Sequence, residues 1–328
     1  MYKSNFFLFP AGKANFKDRY DTKIVDWIKP WDGKEGVKIG LIGLPLSKSS
    51  ISHSGAFLAP KMIRELFANY STYVEDERIN LNDLEVKDIG DVQMHPTDII
   101  GSHQRIEDSL SLLYEHQPKM QPIIIGGDHS VTAPSVKAFK KKIGGEIGII
   151  QFDAHHDIRN LEDGGPTNGT PFRTLIESGT INPKNLVQIG IRNYANAEHY
   201  REEAEGLGIT VYPMKEVRTR PIKEIIEEAI KIASNGTEAI YVSLDIDVLD
   251  QAFAPGAVAI GPGGMDTFTL FDAVELLAQE KKVKGFDLVC IDPMQDFRNM
   301  TSRVGVQLIL QFLRGKYRFK NGNNTNKL

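Results

Sequence analysis

The chain is poor in cysteine: Cys290 is the only one in 328 residues. An internal disulfide is therefore excluded, and a reducing compartment suits the composition. No hydrophobic run is long enough to span a bilayer. The N-terminal "MYKSNFFLFPAGKANFKDRY" has a short apolar patch broken by Pro10, which does not read as a signal peptide. Nor is there an excess of positive charge. With 39 Lys and Arg against 43 Asp and Glu, the net charge is -4, and no nucleic-acid footprint is expected. Internal repeats, low-complexity linkers and composition breaks are absent too. These absences point to a cytoplasmic protein that needs neither membrane nor nucleic acid. The expected organisation is one domain over 1–328, with an N-terminal extension at 1–36 and a frayed tail at 316–328, where "KYRFKNGNNTNKL" is polar and rich in Asn and Lys.

What is present is a pattern. Short β-rich apolar segments alternate with amphipathic ones, as in a parallel sheet covered by helices. Strands are expected within 37–46, 121–130, 145–157, 184–193, 208–217, 238–250 and 283–293. Helices are expected in "APKMIRELFANYS", "RIEDSLSLLYEHQ", "PIKEIIEEAIKIASNG" and "DTFTLFDAVELLAQE".

Three of these strands are apolar in the body and polar at the C-terminal end: "IIIGGDHS", "IIQFDAHHD" and "VSLDIDVLD". Ligands of open α/β sheets bind beyond the carboxyl ends of the strands. Asp128, His129, Asp153, His155, His156, Asp157, Asp245, Asp247 and Asp250 would all gather there. Carboxylates so close cannot all ionise without positive charge among them, and divalent cations supply it. Oxygen and imidazole donors without thiolate favour Mn²⁺, Mg²⁺, Zn²⁺ or Fe²⁺, and this many carboxylates suits a two-metal centre. In an extended segment positions i and i+2 share a side, so Asp153, His155 and Asp157 would form one row and Ser243, Asp245 and Asp247 another. A single D-x-D is usually a turn or cap. Three such strand ends in one chain outweigh that reading.

These motifs resemble the ureohydrolase family of arginases, agmatinases and formimidoylglutamases. "GGDHS" (126–130), "FDAHHD" (152–157), "SLDIDVLD" (243–250) and "APGAVAIGPGG" (254–264) occur in the family's order, and "GLPLSKSSISHSGAFLAPKMIRELF" fits its N-terminal part. The loops "FKDR", "QFDAHHDIRNLEDGGPTNGTPFR" and "DPMQDFRNMTSR" are most similar to the bacterial formimidoylglutamase branch. The resemblance implies a three-layer α/β/α arginase-like fold with a mainly parallel sheet. It also implies two Mn²⁺ per chain and a homo-oligomer, trimeric or hexameric. One metal's ligands would be His129, Asp153, Asp157 and Asp245, with Asp153 and Asp245 bridging. His155 and Asp247 would complete the second. The implied reaction is N-formimidoyl-L-glutamate plus water to L-glutamate plus formamide, with Asp157 as proton carrier.

Two positions depart from the arginase and agmatinase pattern. Asn168 stands where those enzymes have a titrating histidine, which leaves water, Asp157 or His156 to move the proton. Cys290 replaces a glutamate that grips a guanidinium or amidinium, and a buried thiol acts as a small apolar residue. Arg159 is the leading partner for the carboxylates of glutamate. Arg192 and Lys48 read as surface ion pairs instead, and Arg173 is less informative. The Gly/Pro-rich 255–264 loop reads as a wall beside the metals. Two alternatives stand: an agmatinase or guanidinobutyrase type, served by the acidic 161–165 loop, and a metal-binding homologue weakened by Cys290.

Overall fold

The computed structural model describes residues 18–325, with side chains up to Gly322. Residues 1–17, which include much of the expected extension and the start of "FKDR", and residues 326–328 lie outside that range. Eleven strands follow along the described chain: β1 (Lys29–Pro30), β2 (Ile39–Gly43), β3 (Tyr73–Val74), β4 (Ile79–Asn80), β5 (Val86–Asp91), β6 (Gln121–Ile125), β7 (Ile147–Phe152), β8 (Leu186–Ile191), β9 (Thr210–Pro213), β10 (Ala239–Asp245) and β11 (Val283–Val289). Nine of them form one sheet in the order β1-β5-β2-β6-β11-β10-β7-β8-β9, and every pairing in it is parallel. β3 and β4 make a separate antiparallel pair.

Helices cover both faces, giving the three-layer α/β/α arrangement. Ala59–Leu66, Ile222–Ala233, Thr267–Gln279 and Met300–Thr325 pack together on one side, and Ile99–His116, Thr132–Ile143 and Pro171–Glu177 on the other. The strands are buried on both faces, so they read as near-continuous apolar runs. The alternation still sorts the side chains. Ile147, Ile149, Ala239 and Tyr241 enter the core under Thr132–Ile143, while Ile150, Phe152, Val242 and Leu244 enter the larger core opposite.

All seven expected strand segments contain a strand of the sheet. β5 went unseen because "VKDIGD" carries charge and is only partly buried, next to the two-residue edge strand β1. One correction concerns the C-terminal end. The described part of the extension docks on the sheet, with Ile24 fully buried and Lys29 of β1 paired with Lys87. The tail does not begin at 316. The last helix runs to Thr325, Lys316 is buried with its Nζ 2.7 Å from Val283 O, and Arg318 pairs with Glu77 and Glu275. Composition alone misread residues whose polar ends find partners far away in the chain.

Candidate metal centre

Four strands end at one place. β6 is followed by Gly126, Gly127 and a 3₁₀ turn, His129–Val131, capped by Asp128, whose Oδ1 accepts from Ser130 N at 3.0 Å. Gly127 is needed there because a Cβ would lie 1.7 Å from Leu46 O. β7 ends at Phe152 and releases the segment 153–157. β10 ends at Asp245, and a 3₁₀ turn, Ile246–Val248, carries Asp247. β11 ends at Val289, just before Cys290.

These ends bring the six expected ligands together. His129 Nδ1 faces Asp157 Oδ2 at 2.8 Å, Asp153 Oδ2 at 3.1 Å and Asp245 Oδ2 at 3.3 Å. His155 Nδ1 faces Asp247 Oδ2 at 3.0 Å and Asp153 Oδ1 at 3.3 Å. Asp153 thus turns one oxygen to each imidazole. The first row is not an extended strand as expected but an irregular segment with Asp157 at φ 53°. The second stays extended through Ser243 and Asp245 at the end of β10 and departs only at Asp247, in the 3₁₀ turn, where Asp247 N donates to Asp245 Oδ1 at 2.9 Å. Most of the ligands sit where the backbone leaves the sheet.

The electrostatics call for cations. Burial, with the charge of Asp153 close by, pushes Asp157 up to about 7, and burial with Asp247 and Asp153 does the same to Asp245. Burial pulls His155 down, but Asp247 and Asp153 outweigh it and push it up to about 12. His129 also rises well above its ordinary value against its own burial, through Asp153, Asp157 and Asp245. Protons therefore sit where cations fit. His129 Nδ1 is fully buried without a well-formed hydrogen bond although three carboxylate oxygens surround it. On its far side, Nε2 lies 3.0 Å from Ser243 Oγ, and that hydroxyl donates to Asp287 Oδ1 at 2.7 Å. Since Asp287 only accepts, Nε2 keeps its proton, and Nδ1 is the nitrogen that would exchange a proton for a metal. The oxygen and imidazole donors, grouped around His129 and around His155, fit divalent cations.

The other expected residues fall differently. His156 is turned away from the cluster, with Nδ1 2.6 Å from Gln188 Oε1, and burial holds its pKa down. The proton-carrier role given to His156 is corrected accordingly: residues 155 and 157 face the centre and 156 does not. Asn168 is a latch, its Oδ1 accepting from Ile51 N at 2.9 Å. Cys290, at φ 65° and 2% exposed, lies against Asp245, and burial raises its pKa well above the ordinary value. Arg159 is exposed, with its guanidinium 5.9 Å from the Tyr200 ring and no carboxylate partner among the described residues. Lys48 is likewise exposed and unpaired among them, on a loop beside Asn168. Arg192 is not a surface residue: its guanidinium donates to Gly261 O and Asp247 O, tying the 255–264 wall to a ligand turn. Arg173 holds Ile158 O and Glu203. Asp250 accepts from Ala252 N, Gly263 N and Gly264 N, so it shapes that loop. Sequence reading missed Ser243's contact with His129 and the roles of Gln151, Gln188 and Asp287. Polar residues inside apolar strands were the available signal.

Comparison with known proteins agrees with the geometry. The arginase family model matches residues 37–314. The chain is 52% identical over 306 residues to the formimidoylglutamase of Halalkalibacterium halodurans, covering 93% of this chain and 96% of that protein. It is 43% identical over 309 residues to the one from Bacillus subtilis, covering 94% and 96%. The crystal structure of the Bacillus subtilis formimidoylglutamase superposes with a TM-score of 0.91 at 42% identity, over 94% of this chain and 96% of that one. The chain belongs to the arginase family.

Proposed function

We infer that the protein hydrolyses N-formimidoyl-L-glutamate to L-glutamate and formamide, with two Mn²⁺ per chain as the metals. The observation that carries the substrate is the 52% identity to a formimidoylglutamase along nearly the whole length of both chains. The donor set supports the metal: four carboxylates and two imidazoles with no thiolate ligand suit Mn²⁺. When bound, two such cations make hydroxide available from a shared water near neutral pH and polarise the carbon under attack.

The chain's own residues do the rest. Asp157 Oδ2 belongs to the His129 cluster, whereas its Oδ1 makes no hydrogen bond among the described residues. That oxygen holds the attacking water and carries its proton to the leaving nitrogen, so the bond from the formimidoyl carbon to glutamate's nitrogen breaks with the amine protonated. Arg159, unpaired and stacked beside Tyr200, takes a carboxylate of the glutamate part. Cys290 stays neutral and leaves room for a small formimidoyl group, where a second carboxylate would favour a guanidinium.

The Mn²⁺-loaded enzyme, offered N-formimidoyl-glutamate, agmatine, arginine and guanidinobutyrate, is expected to release glutamate and formamide from the first and to leave the others intact. Preference for agmatine or arginine would overturn the reading. Arg159→Leu should raise KM for N-formimidoyl-glutamate about 10–100-fold, the range of a lost charge-assisted hydrogen bond, with kcat much less affected.

A further inference from the structure

The segment Asp153–Asp157 supplies three of the six ligands yet belongs to no strand or helix. Its backbone polar groups must still be satisfied. Ala154 O accepts from Arg192 N at 3.0 Å and Asn196 Nδ2 at 2.9 Å, and His156 N donates to Asn196 Oδ1 at 3.0 Å. The next two carbonyls have no backbone donor among the described residues. His155 O accepts from Gln151 Nε2 at 3.1 Å, and His156 O accepts from Gln188 Nε2 at 2.7 Å. These two glutamines are fully buried neighbours in register on β7 and β8.

Their bonds run in one direction only. A backbone carbonyl accepts and never donates, so each amide nitrogen must face its carbonyl. Gln151 then gives its other N–H to Asp153 Oδ2 at 2.7 Å, and its Oε1 accepts the other N–H of Gln188 at 2.7 Å. Gln188 Oε1 is left to accept from His156 Nδ1 at 2.6 Å. Every N–H of both amides is used. His156 is thereby the end of a chain that leads to Asp153, the carboxylate facing both imidazoles.

We propose that Gln151 and Gln188 are positioning residues of the metal centre: they replace the missing backbone ladder under residues 154–157, and Gln151 also fixes the rotation of Asp153 by holding its Oδ2, which leaves Oδ1 facing His155. The proposal rests on the two-metal reading above. The tighter site, centred on His129, has its own support from Ser243 and Asp287. The His155 site lacks that support and depends on the glutamine pair, because its ligand sits on the peptide that Gln151 holds.

Mn²⁺ titration of the metal-stripped full chain, followed by the paramagnetic resonance signal of free Mn²⁺, counts sites and affinities without reference to turnover. Wild type should bind two Mn²⁺; failure to do so would sink the two-metal reading itself. Gln151→Met and Gln188→Met should each weaken one of the two sites about 10–100-fold while the other is retained. The double variant should be little worse than the worse single one, since the pair acts as a unit. Gln121→Met, which removes a strand amide that bonds Val283 O away from the centre, should leave both sites unchanged. Thermal unfolding of each metal-free variant checks that it folds, and if Gln188→Met does not, Gln151→Met reads the same site. Wild-type affinity at both sites in the folded variants, or equal weakening by Gln121→Met, would overturn the proposal.

Discussion

At Cys290 the backbone turns to φ 65°, and at Asp157 to φ 53°, so two residues with side chains hold a left-handed conformation beside the same cluster. Such positions cost about 1–3 kcal/mol each and persist where the surroundings over-determine them. Around Cys290 the constraints are Cys290 N donating to Gly127 O at 2.7 Å and Cys290 O accepting from Val258 N at 3.0 Å. The thiol is buried, and Asp245 and Asp247 add to the burial that keeps it protonated. A protonated, buried thiol is unreactive. The native enzyme should therefore resist iodoacetamide at pH 8, with Cys290 labelled only after unfolding, as peptide mass spectrometry would show. Cys290→Ala should keep kcat within about threefold, since a small apolar residue does the same packing. A loss of turnover of a hundredfold or more would make the thiol a participant. Asn168 is instructive at this scale as well. Its type signalled that no proton could move there, but its bond to Ile51 N, 117 residues away, has no local trace in the sequence.

The element that composition described least well is the helix Met300–Thr325. Its Lys316 is 8% exposed, donates to Val283 O and lies 5.2 Å from the Phe312 ring. Burial lowers its pKa to about 7 from 10.5, with Glu280 pulling the other way. The unfolded chain keeps that proton to higher pH, so between about 7 and 10.5 the unfolded state binds more protons than the folded one. This residue's contribution to stability therefore rises with pH across that window. Lys316→Met removes the buried charge, and Val283 O keeps a donor in Gln121 Nε2 at 3.0 Å. The variant should melt higher than wild type at pH 6.5, and the difference should shrink toward pH 10. A variant that melts lower at both pH values would show that the ammonium bond outweighs the cost of burying it. The strands were easier to read than this helix. An apolar run flanked by Gly, Pro or Asp depends on neighbours in sequence, whereas the docking of residues 314–320 depends on Glu77, Glu275, Asp83 and Val283.

In the whole molecule, the sheet gathers four acidic and two imidazole ligands under nearly complete burial, and the metal-free state compensates with protons on His129 and His155. Metal ligation needs those Nδ1 lone pairs and the ionised forms of Asp157 and Asp245, so Mn²⁺ uptake near neutral pH should expel at least about two protons per chain, and apparent affinity should fall as the pH falls. Calorimetry in buffers of different ionisation enthalpy measures the proton count. A count near zero would mean the imidazoles are not protonated before binding. Because the ions bind only the folded ligand set, stripping them should lower the melting temperature, and Mn²⁺ at 100 times its Kd should restore about 2.7 kcal/mol per site. No described helix is long and apolar enough to cross a membrane.

The amino-acid sequence by itself determined the parallel α/β class, seven strands of the sheet, and nine acidic and imidazole candidates at the strand ends, which the resemblance to the ureohydrolases narrowed to six. Each of those depends on local rules: apolar runs for buried strands, and clustered Asp and His that only a shared positive charge can compensate. Which way each side chain points was decided by the tertiary structure. His156 sits between two ligands yet faces Gln188, because the segment leaves the sheet and turns left-handed at Asp157. Arg192 clamps Gly261 and Asp247, Asp250 closes a loop, and Lys316 enters the core, although all three read as site or surface residues. The partners that decide these roles lie 13 to 69 positions away, beyond Asp250's local bond to Ala252 N, and a charge records nothing of that in its own neighbourhood. Burial and long-range hydrogen bonding assign the role, and both exist only once the layers have packed.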